Sequence, residues 1–179
     1  RFDASPRVVW RAMTEPELIL RWLWATHIPM TVCEQDFRVG GTLRWVWQRP
    51  DGSEMGLTGR YLEIEPPRRL VNTELFDEDW TGGETTVTTE LDEVAPQTTL
   101  MRMTVRYASP EARERAAATP MAAGMEEGYA RLDTLLPEFL RSARRSDFRI
   151  ASDGSPPKKS SSMPPSRSPM APTMTCFTG

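Results

Sequence analysis

Apolar and polar side chains alternate without interruption along Met101-Arg102-Met103-Thr104-Val105-Arg106-Tyr107. A period of two predicts a β-strand with one apolar face and one face in water. The apolar face of such a strand needs a cover, because apolar surface left in water costs free energy. The cover must come from another part of the chain.

A long amphipathic helix is predicted after this strand. Ser109-Pro110 and Thr119-Pro120 are helix starts, because a hydroxyl cap followed by proline favours the first helical turn. Gly124 and Gly128 predict a close approach of this helix to the sheet, and Pro137 predicts a kink or an end just before it. The apolar stripe at helical spacing consists of Met121, Met125, Tyr129, Leu132, Leu135, Leu136 and Phe139.

Upstream, the pattern predicts two short helices and five more strands. Ser5-Pro6 and Thr14-Glu15-Pro16 carry the same cap-then-proline signal, and the second helix should pack Trp22 inward. Alternation of apolar and polar residues ends at the turn signal Pro50-Asp51-Gly52. The predicted strands are 32–38, 43–48, 57–64, 69–76, 84–91 and 99–107, which form a six-stranded antiparallel meander in an α+β domain. Phe2 is a candidate for a further edge contact.

Composition limits the domain and its partners. We expect one domain over residues 1–141 and a disordered, Pro/Ser-rich tail over 142–179. Residues 1–145 hold 18 basic and 23 acidic side chains, so no basic field exists for nucleic acid. No apolar run approaches the roughly 20 residues of a membrane span. Neither nucleic acid nor a membrane is an expected partner.

Residues for metal or nucleophile chemistry are sparse. The sequence has one histidine, His27, and two distant cysteines, Cys33 and Cys176, which indicates a reducing cytoplasm and no metal or other cofactor. Gly40-Gly41 precedes a strand and predicts a turn, not a phosphate loop. Asp77-Glu78-Asp79 could hold a cation, but an exposed loop explains these charges more simply.

Aromatic and methionine side chains form the positive signal. Their spacing directs them towards the space between sheet and helix, where they are either ordinary core or the wall of a cavity of about 300 to 1,000 Å³. Polar anchors would be the Tyr61 and Tyr129 hydroxyls with Asn72 or Glu74, whose facing the pattern does not fix. A buried Glu74 would have a raised pKa and could act as a general acid. The predicted ligand-binding residues are Trp45, Trp47, Tyr61, Met101, Met103, Met125 and Tyr129.

Six motifs follow one another along about residues 1–141. They are Phe2-Asp3-Ala4-Ser5-Pro6 with Val9-Trp10-Arg11-Ala12, Thr14-Glu15-Pro16-Glu17-Leu18 with Arg21-Trp22, Asp36-Phe37-Arg38-Val39-Gly40-Gly41, Pro50-Asp51-Gly52, residues 59–71, and Gly124-Met125-Glu126-Glu127-Gly128-Tyr129. In this order they resemble the bacterial relatives of the Hsp90 ATPase activator domain, in the START-like (SRPBCC) superfamily.

This resemblance implies a helix-grip fold, in which a curved antiparallel sheet wraps around the long C-terminal helix and leaves a ligand cavity between them. The fold hosts several functions, so it does not fix activity. The leading expectation is a binder of a small apolar molecule, as a monomer or homodimer. The alternatives are a cyclase or hydrolase that acts in the same cavity, and an accessory factor of the chaperone Hsp90 in the stress response.

Overall fold

The computed structural model describes residues 1–152, with side chains described for residues 1–141. The elements follow the predicted order of two short helices, six strands and C-terminal helices. They are α1 (Pro6–Thr14), α2 (Pro16–Ile19), β1 (Met30–Gln35), β2 (Thr42–Gln48), β3 (Glu54–Glu65), β4 (Arg69–Phe76), β5 (Thr85–Ala95), β6 (Thr98–Arg106), α3 (Pro110–Ala117) and α4 (Met121–Ser152).

The six strands form one curved antiparallel sheet in the order β1-β2-β3-β4-β5-β6, so the predicted meander and the α+β class are confirmed. The chain start adds one bridge at the β6 edge. The Phe2 N–H donates to the Thr99 carbonyl at 2.8 Å, and the Thr99 N–H donates back at 2.9 Å. Residue 2 therefore protects part of an edge strand that would otherwise be open.

The core lies between the sheet and α4. Leu132, Leu136 and Phe139 of α4 are 0 to 3% exposed and belong to one apolar cluster with sheet residues such as Leu43 and Leu57. Each such side chain contributes about 1.5 to 3 kcal/mol when fully buried. The predicted stripe of the C-terminal helix is thus confirmed as the element that covers the sheet.

The structure corrects two expectations about this helix, namely its end before Pro137 and the close approach of its glycines to the sheet, while a kink at Pro137 stays a prediction. The helix does not end before Pro137 but continues to Ser152, since Leu136 and Phe139 are anchored in the core on both sides of the exposed proline. Gly124 and Gly128 do not approach the sheet. A Cβ at Gly128 would lie 3.2 Å from the Trp22 carbonyl oxygen, and one at Gly124 would lie 3.3 Å from the Ala25 Cβ. The absence of a side chain at these two glycines allows the segment after α2 to pack closely against α4.

Trp22 fixes that segment, as the sequence predicts. Its ring is 2% exposed, and its indole N–H donates to the Ala12 carbonyl at 2.8 Å. Arg21 beside it forms a two-point ion pair with Glu138 of α4 at 3.0 and 2.8 Å. The N-terminal helices are therefore attached to α4 rather than to the sheet alone.

The predicted boundary after residue 141 falls within α4, and the part of the predicted tail from residue 153 onwards lies outside the described residues. The expectation of a disordered tail stays a prediction.

The Thr99 hydroxyl joins β6 to the chain start. It is buried and donates to the Ala4 carbonyl at 2.6 Å. We expect Thr99→Val to lower the free energy of unfolding by about 1 to 2 kcal/mol, because the valine keeps the shape but leaves a buried carbonyl without this donor. Urea denaturation measures the loss, and Thr104→Val, at an exposed position of the same strand, is the control. Equal losses in the two variants would contradict the assigned role of the hydroxyl.

Candidate functional site

The candidate site is the sheet face towards α4, here called the inner face. Strand register sets its members: Trp45 pairs with Leu57, Leu57 with Phe76, and Tyr61 with Asn72. Residues two apart on one strand share a face. The inner face therefore carries Trp45 and Trp47 of β2, Tyr61 of β3, Asn72 and Glu74 of β4, and Met101 and Met103 of β6.

Two of the seven predicted ligand residues lie in the core. Trp47 is 8% exposed, and its indole N–H donates to the Leu23 carbonyl at 2.7 Å. Tyr61 is 2% exposed, and its hydroxyl donates to Gln35 Oε1 at 2.6 Å. Because the polar atoms of both rings have protein partners, an ordinary structural role in the core is sufficient to explain these two residues.

The other five are half-buried: Trp45, Met101, Met103, Met125 and Tyr129. Tyr129 stacks on Trp22 with ring centroids 5.7 Å apart, and its hydroxyl points to the Met103 sulfur at 3.5 Å. Trp45 stands edge-on to Trp47 at 6.3 Å. The structure thus brings Met103 of β6 to Tyr129 of α4, whereas Trp45 contacts Trp47 of its own strand, and all five residues keep part of their surface accessible.

Trp45 carries an unsatisfied donor. Its indole nitrogen is buried and has no hydrogen-bond partner among the described residues. Cys33 stands opposite it in the β1–β2 pair, and burial raises the pKa of the Cys33 thiol to about 12, with a further rise from Glu17. A hydrogen-bond interaction with the Trp45 indole lowers the thiol pKa in part. The geometry between the two groups is nevertheless outside that of a normal hydrogen bond. A neutral thiol is a weak acceptor, so the donor stays effectively unpaired.

Glu74 places a carboxyl among aromatic rings. Removal from water raises its pKa to about 7, against an opposing hydrogen bond from Asn72 Nδ2 to Glu74 Oε1 at 3.2 Å. Its charge adds to the effect of burial in raising the tyrosine pKa values of Tyr61, Tyr107 and Tyr129. The side chain nevertheless keeps accessible surface.

No arginine of the described residues contributes to the pKa of Glu74. Two arginines at the alternate positions of the strands are engaged elsewhere. Arg44 pairs with Asp77 at 2.7 Å, and Arg69 pairs with Glu63 at 2.8 Å and Glu90 at 2.9 Å. The inner face therefore presents one carboxyl without a cationic partner in this part of the chain.

The acidic run after β4 is explained as an exposed loop. Asp77 binds Arg44, Glu78 binds Arg49 at 2.6 Å, and Asp79 Oδ1 accepts the Gly83 N–H at 2.5 Å. Within the described residues no group of three or more His, Cys, Asp or Glu side chains could hold a metal ion. The loop interpretation in the sequence is thus supported over a cation site.

Other motifs also have structural explanations. His27 is exposed in a loop with a φ of 68°, and Gly40, at a φ of 81°, forms the predicted turn. An open depression of about 340 Å³ is lined by Glu84, Thr86, Arg106, Tyr107 and Ala108. It contains none of the seven predicted residues, and the pKa of its Tyr107 is raised by burial and by the charge of Glu74.

A family model described as "Activator of Hsp90 ATPase homolog 1-like protein" matches residues 3–137. The chain belongs to this family. The resemblance seen in the motifs is confirmed, and with it the placement in the START-like superfamily. A comparison with curated proteins gives no match. No described helix is both long and apolar enough to cross a membrane.

Solved structures of bacterial proteins share the fold of this Hsp90-activator-like chain. A Rhodobacter sphaeroides protein is 46% identical with a TM-score of 0.73, covering 77% of this chain and 88% of its own. An Arthrobacter aurescens protein is 27% identical with a TM-score of 0.69, covering 76% and 82%. A Chromobacterium violaceum protein is 25% identical with a TM-score of 0.65, covering 75% and 91%.

Proposed function

We propose that this Hsp90-activator-like domain binds a small, mainly apolar molecule between the inner face and α4, in the cytoplasm. The observation that carries the proposal is the buried, unpaired indole N–H of Trp45. A buried donor without a partner costs about 1 to 3 kcal/mol. Native structures rarely keep such a group unless something else satisfies it. The nitrogen itself has almost no accessible surface, so the half-buried Trp45 ring must turn before an oxygen of a bound molecule can supply the missing acceptor.

The other half-buried residues among the predicted ligand residues suit an apolar guest. Met101, Met103 and Met125 are half-buried, and methionine side chains re-pack around varied shapes because they are unbranched and polarisable. Tyr129 adds a flat ring on the α4 side, supported from behind by Trp22. The expected ligand therefore has an apolar body and at least one carbonyl or ether oxygen.

The second candidate is an enzyme, a cyclase or hydrolase in the same space. Glu74 favours it, because a carboxyl with a pKa of about 7 can both give and accept a proton at neutral pH. The family also suggests an accessory role with Hsp90. Turnover of a co-purified ligand supports the enzyme, and stimulation of a bacterial Hsp90 ATPase by the purified protein supports the accessory role.

Native mass spectrometry of the protein purified from its source tests the binding proposal first. A retained non-covalent mass of small-molecule size would identify the ligand class. A second test uses two fluorescent dyes of similar shape, a naphthalene ketone and a naphthalene that lacks the carbonyl.

We expect Trp45→Phe to weaken the affinity for the naphthalene ketone about fivefold to tenfold and to leave the affinity for the other dye unchanged. The phenyl ring keeps the apolar contact but removes the one donor, and a single hydrogen bond corresponds to about this factor. Fluorescence titration measures both affinities, with Leu62→Ala, an exposed position on β3, as the control. If wild type takes up neither dye at any concentration, the binding proposal fails.

A further inference from the structure

Glu74 defines the ligand more narrowly than the apolar side chains do. We infer that the inner face recognises an apolar organic cation, with the Glu74 carboxylate as its counter-ion and the surrounding aromatic rings as its walls. This inference rests on the proposed binding function and adds the charge of the ligand.

The sheet register sets the distance between the two polar anchors. Trp45 is level with Leu57, which is level with Phe76, and Glu74 lies two residues before Phe76 on β4. Two strand spacings and two residues along a strand separate the Trp45 and Glu74 Cα atoms by on the order of 12 Å. A molecule with two or three fused rings, or one ring with a short arm, is long enough to contact both groups.

The surroundings of Glu74 favour a cation over a second hydrogen-bond donor. The carboxyl is enclosed, has a 3.2 Å hydrogen bond from Asn72, and no arginine in the described part of the chain contributes to its pKa. An enclosed carboxylate without a cationic partner is costly, and either a proton or a positive charge that arrives with the ligand removes that cost. Tyrosine faces attract organic ammonium groups through their ring electrons, and more strongly than they attract neutral donors.

Among the described titratable groups that face this site, only Glu74 changes its charge near neutral pH. They are Tyr61 of β3, Tyr107 after β6 and Tyr129 of α4, all with raised pKa values, and Cys33 of β1, with a pKa of about 12. These four stay neutral between pH 5.5 and 8.5. Because burial places the Glu74 pKa near 7, affinity for a permanent cation should fall as the pH is lowered through this range.

The test uses a matched pair of probes, a dansylamide with a trimethylammonium-ethyl arm and one with a 3,3-dimethylbutyl arm. The two arms have the same shape, and a quaternary nitrogen cannot titrate. We expect wild type to prefer the cationic probe at least tenfold at pH 8.5, and to lose most of that preference by pH 5.5. Fluorescence titration gives both affinities at each pH.

Glu74→Gln should bring the preference at pH 8.5 to within about twofold while the neutral probe still binds, because the amide keeps the size and removes the charge. Glu34→Gln is the control, since Glu34 is exposed on β1 and is in register with Arg44 rather than with the inner face. A preference that survives Glu74→Gln overturns the inference. Equal binding of both probes to wild type also overturns the inference, but it is compatible with the proposed binding of an apolar molecule. If neither probe binds, the inference and the proposed function are both overturned.

Discussion

Replacement of Trp47 by alanine is expected to lower the free energy of unfolding by about 3 to 5 kcal/mol, the usual range for a tightly packed aromatic residue. Trp47 is 8% exposed, belongs to the main apolar cluster, and donates its indole N–H to the Leu23 carbonyl. Truncation therefore removes many contacts and one hydrogen bond at once. Neighbours in a dense core cannot collapse into the space that is left.

The same replacement at Trp45, two residues away on the same face, should cost only about 1 to 2 kcal/mol. Trp45 is half-buried and has no hydrogen bond to lose, and a ring that borders open space has fewer contacts to give up. Urea denaturation of both variants at pH 7, with equal m-values, measures the difference. Equal losses at the two positions would mean that Trp45 is packed as tightly as Trp47. That result would contradict the proposal of a ligand space beside Trp45.

The sequence predicts this fold well because its signals are local. Alternation along Met101 to Tyr107 and the helical stripe from Met121 to Phe139 each depend on one period, and each matches one element. Strand ends are less predictable. β5 continues to Ala95 rather than stopping at Leu91, because its last residues pair with β6 while their side chains are exposed and carry no apolar pattern.

Features that depend on tertiary contacts are hidden from the sequence. Pro137 lies within a continuous helix because residues on both sides are held in the core. Gly128 faces Trp22, a partner 106 positions earlier in the numbering, which no local pattern indicates. Propensity is a weak guide wherever such packing decides the backbone.

In the candidate site, too, the local features could be predicted from the sequence and the features that depend on tertiary contacts could not. Alternation places all the predicted sheet residues on one face, but it cannot separate the wall of a ligand space from ordinary core, since both have the same period. Whether Trp47 and Tyr61 touch a ligand stays a prediction. The facing of Glu74 could not be predicted because both sets of alternate residues on β4 mix apolar and polar side chains, and only the pairing with β3, Leu57 with Phe76 and Tyr61 with Asn72, decides it.

Glu74 also predicts how stability depends on pH. Its pKa of about 7 in the folded protein lies above the ordinary value of 4.5, so the folded state holds this proton more tightly than the unfolded state. Stability from this group is fully present below pH 4.5 and is lost as the pH rises through 7. Carboxyls such as Asp77 and Glu138, with lowered pKa values, act in the opposite direction and at lower pH.

We therefore expect Glu74→Gln to raise the free energy of unfolding at pH 8 by about 2 to 3 kcal/mol, close to the full shift at 1.36 kcal/mol per pKa unit. Glutamine still accepts a hydrogen bond from Asn72 but never carries the charge that burial opposes. Urea melts of wild type and variant from pH 5 to 8 give the difference, in which the other carboxyls cancel, and Glu34→Gln should leave the wild-type profile unchanged. Parallel profiles for wild type and Glu74→Gln would show that bulk water reaches the carboxyl. The inner face around Glu74 would then be an open surface and not an enclosed site.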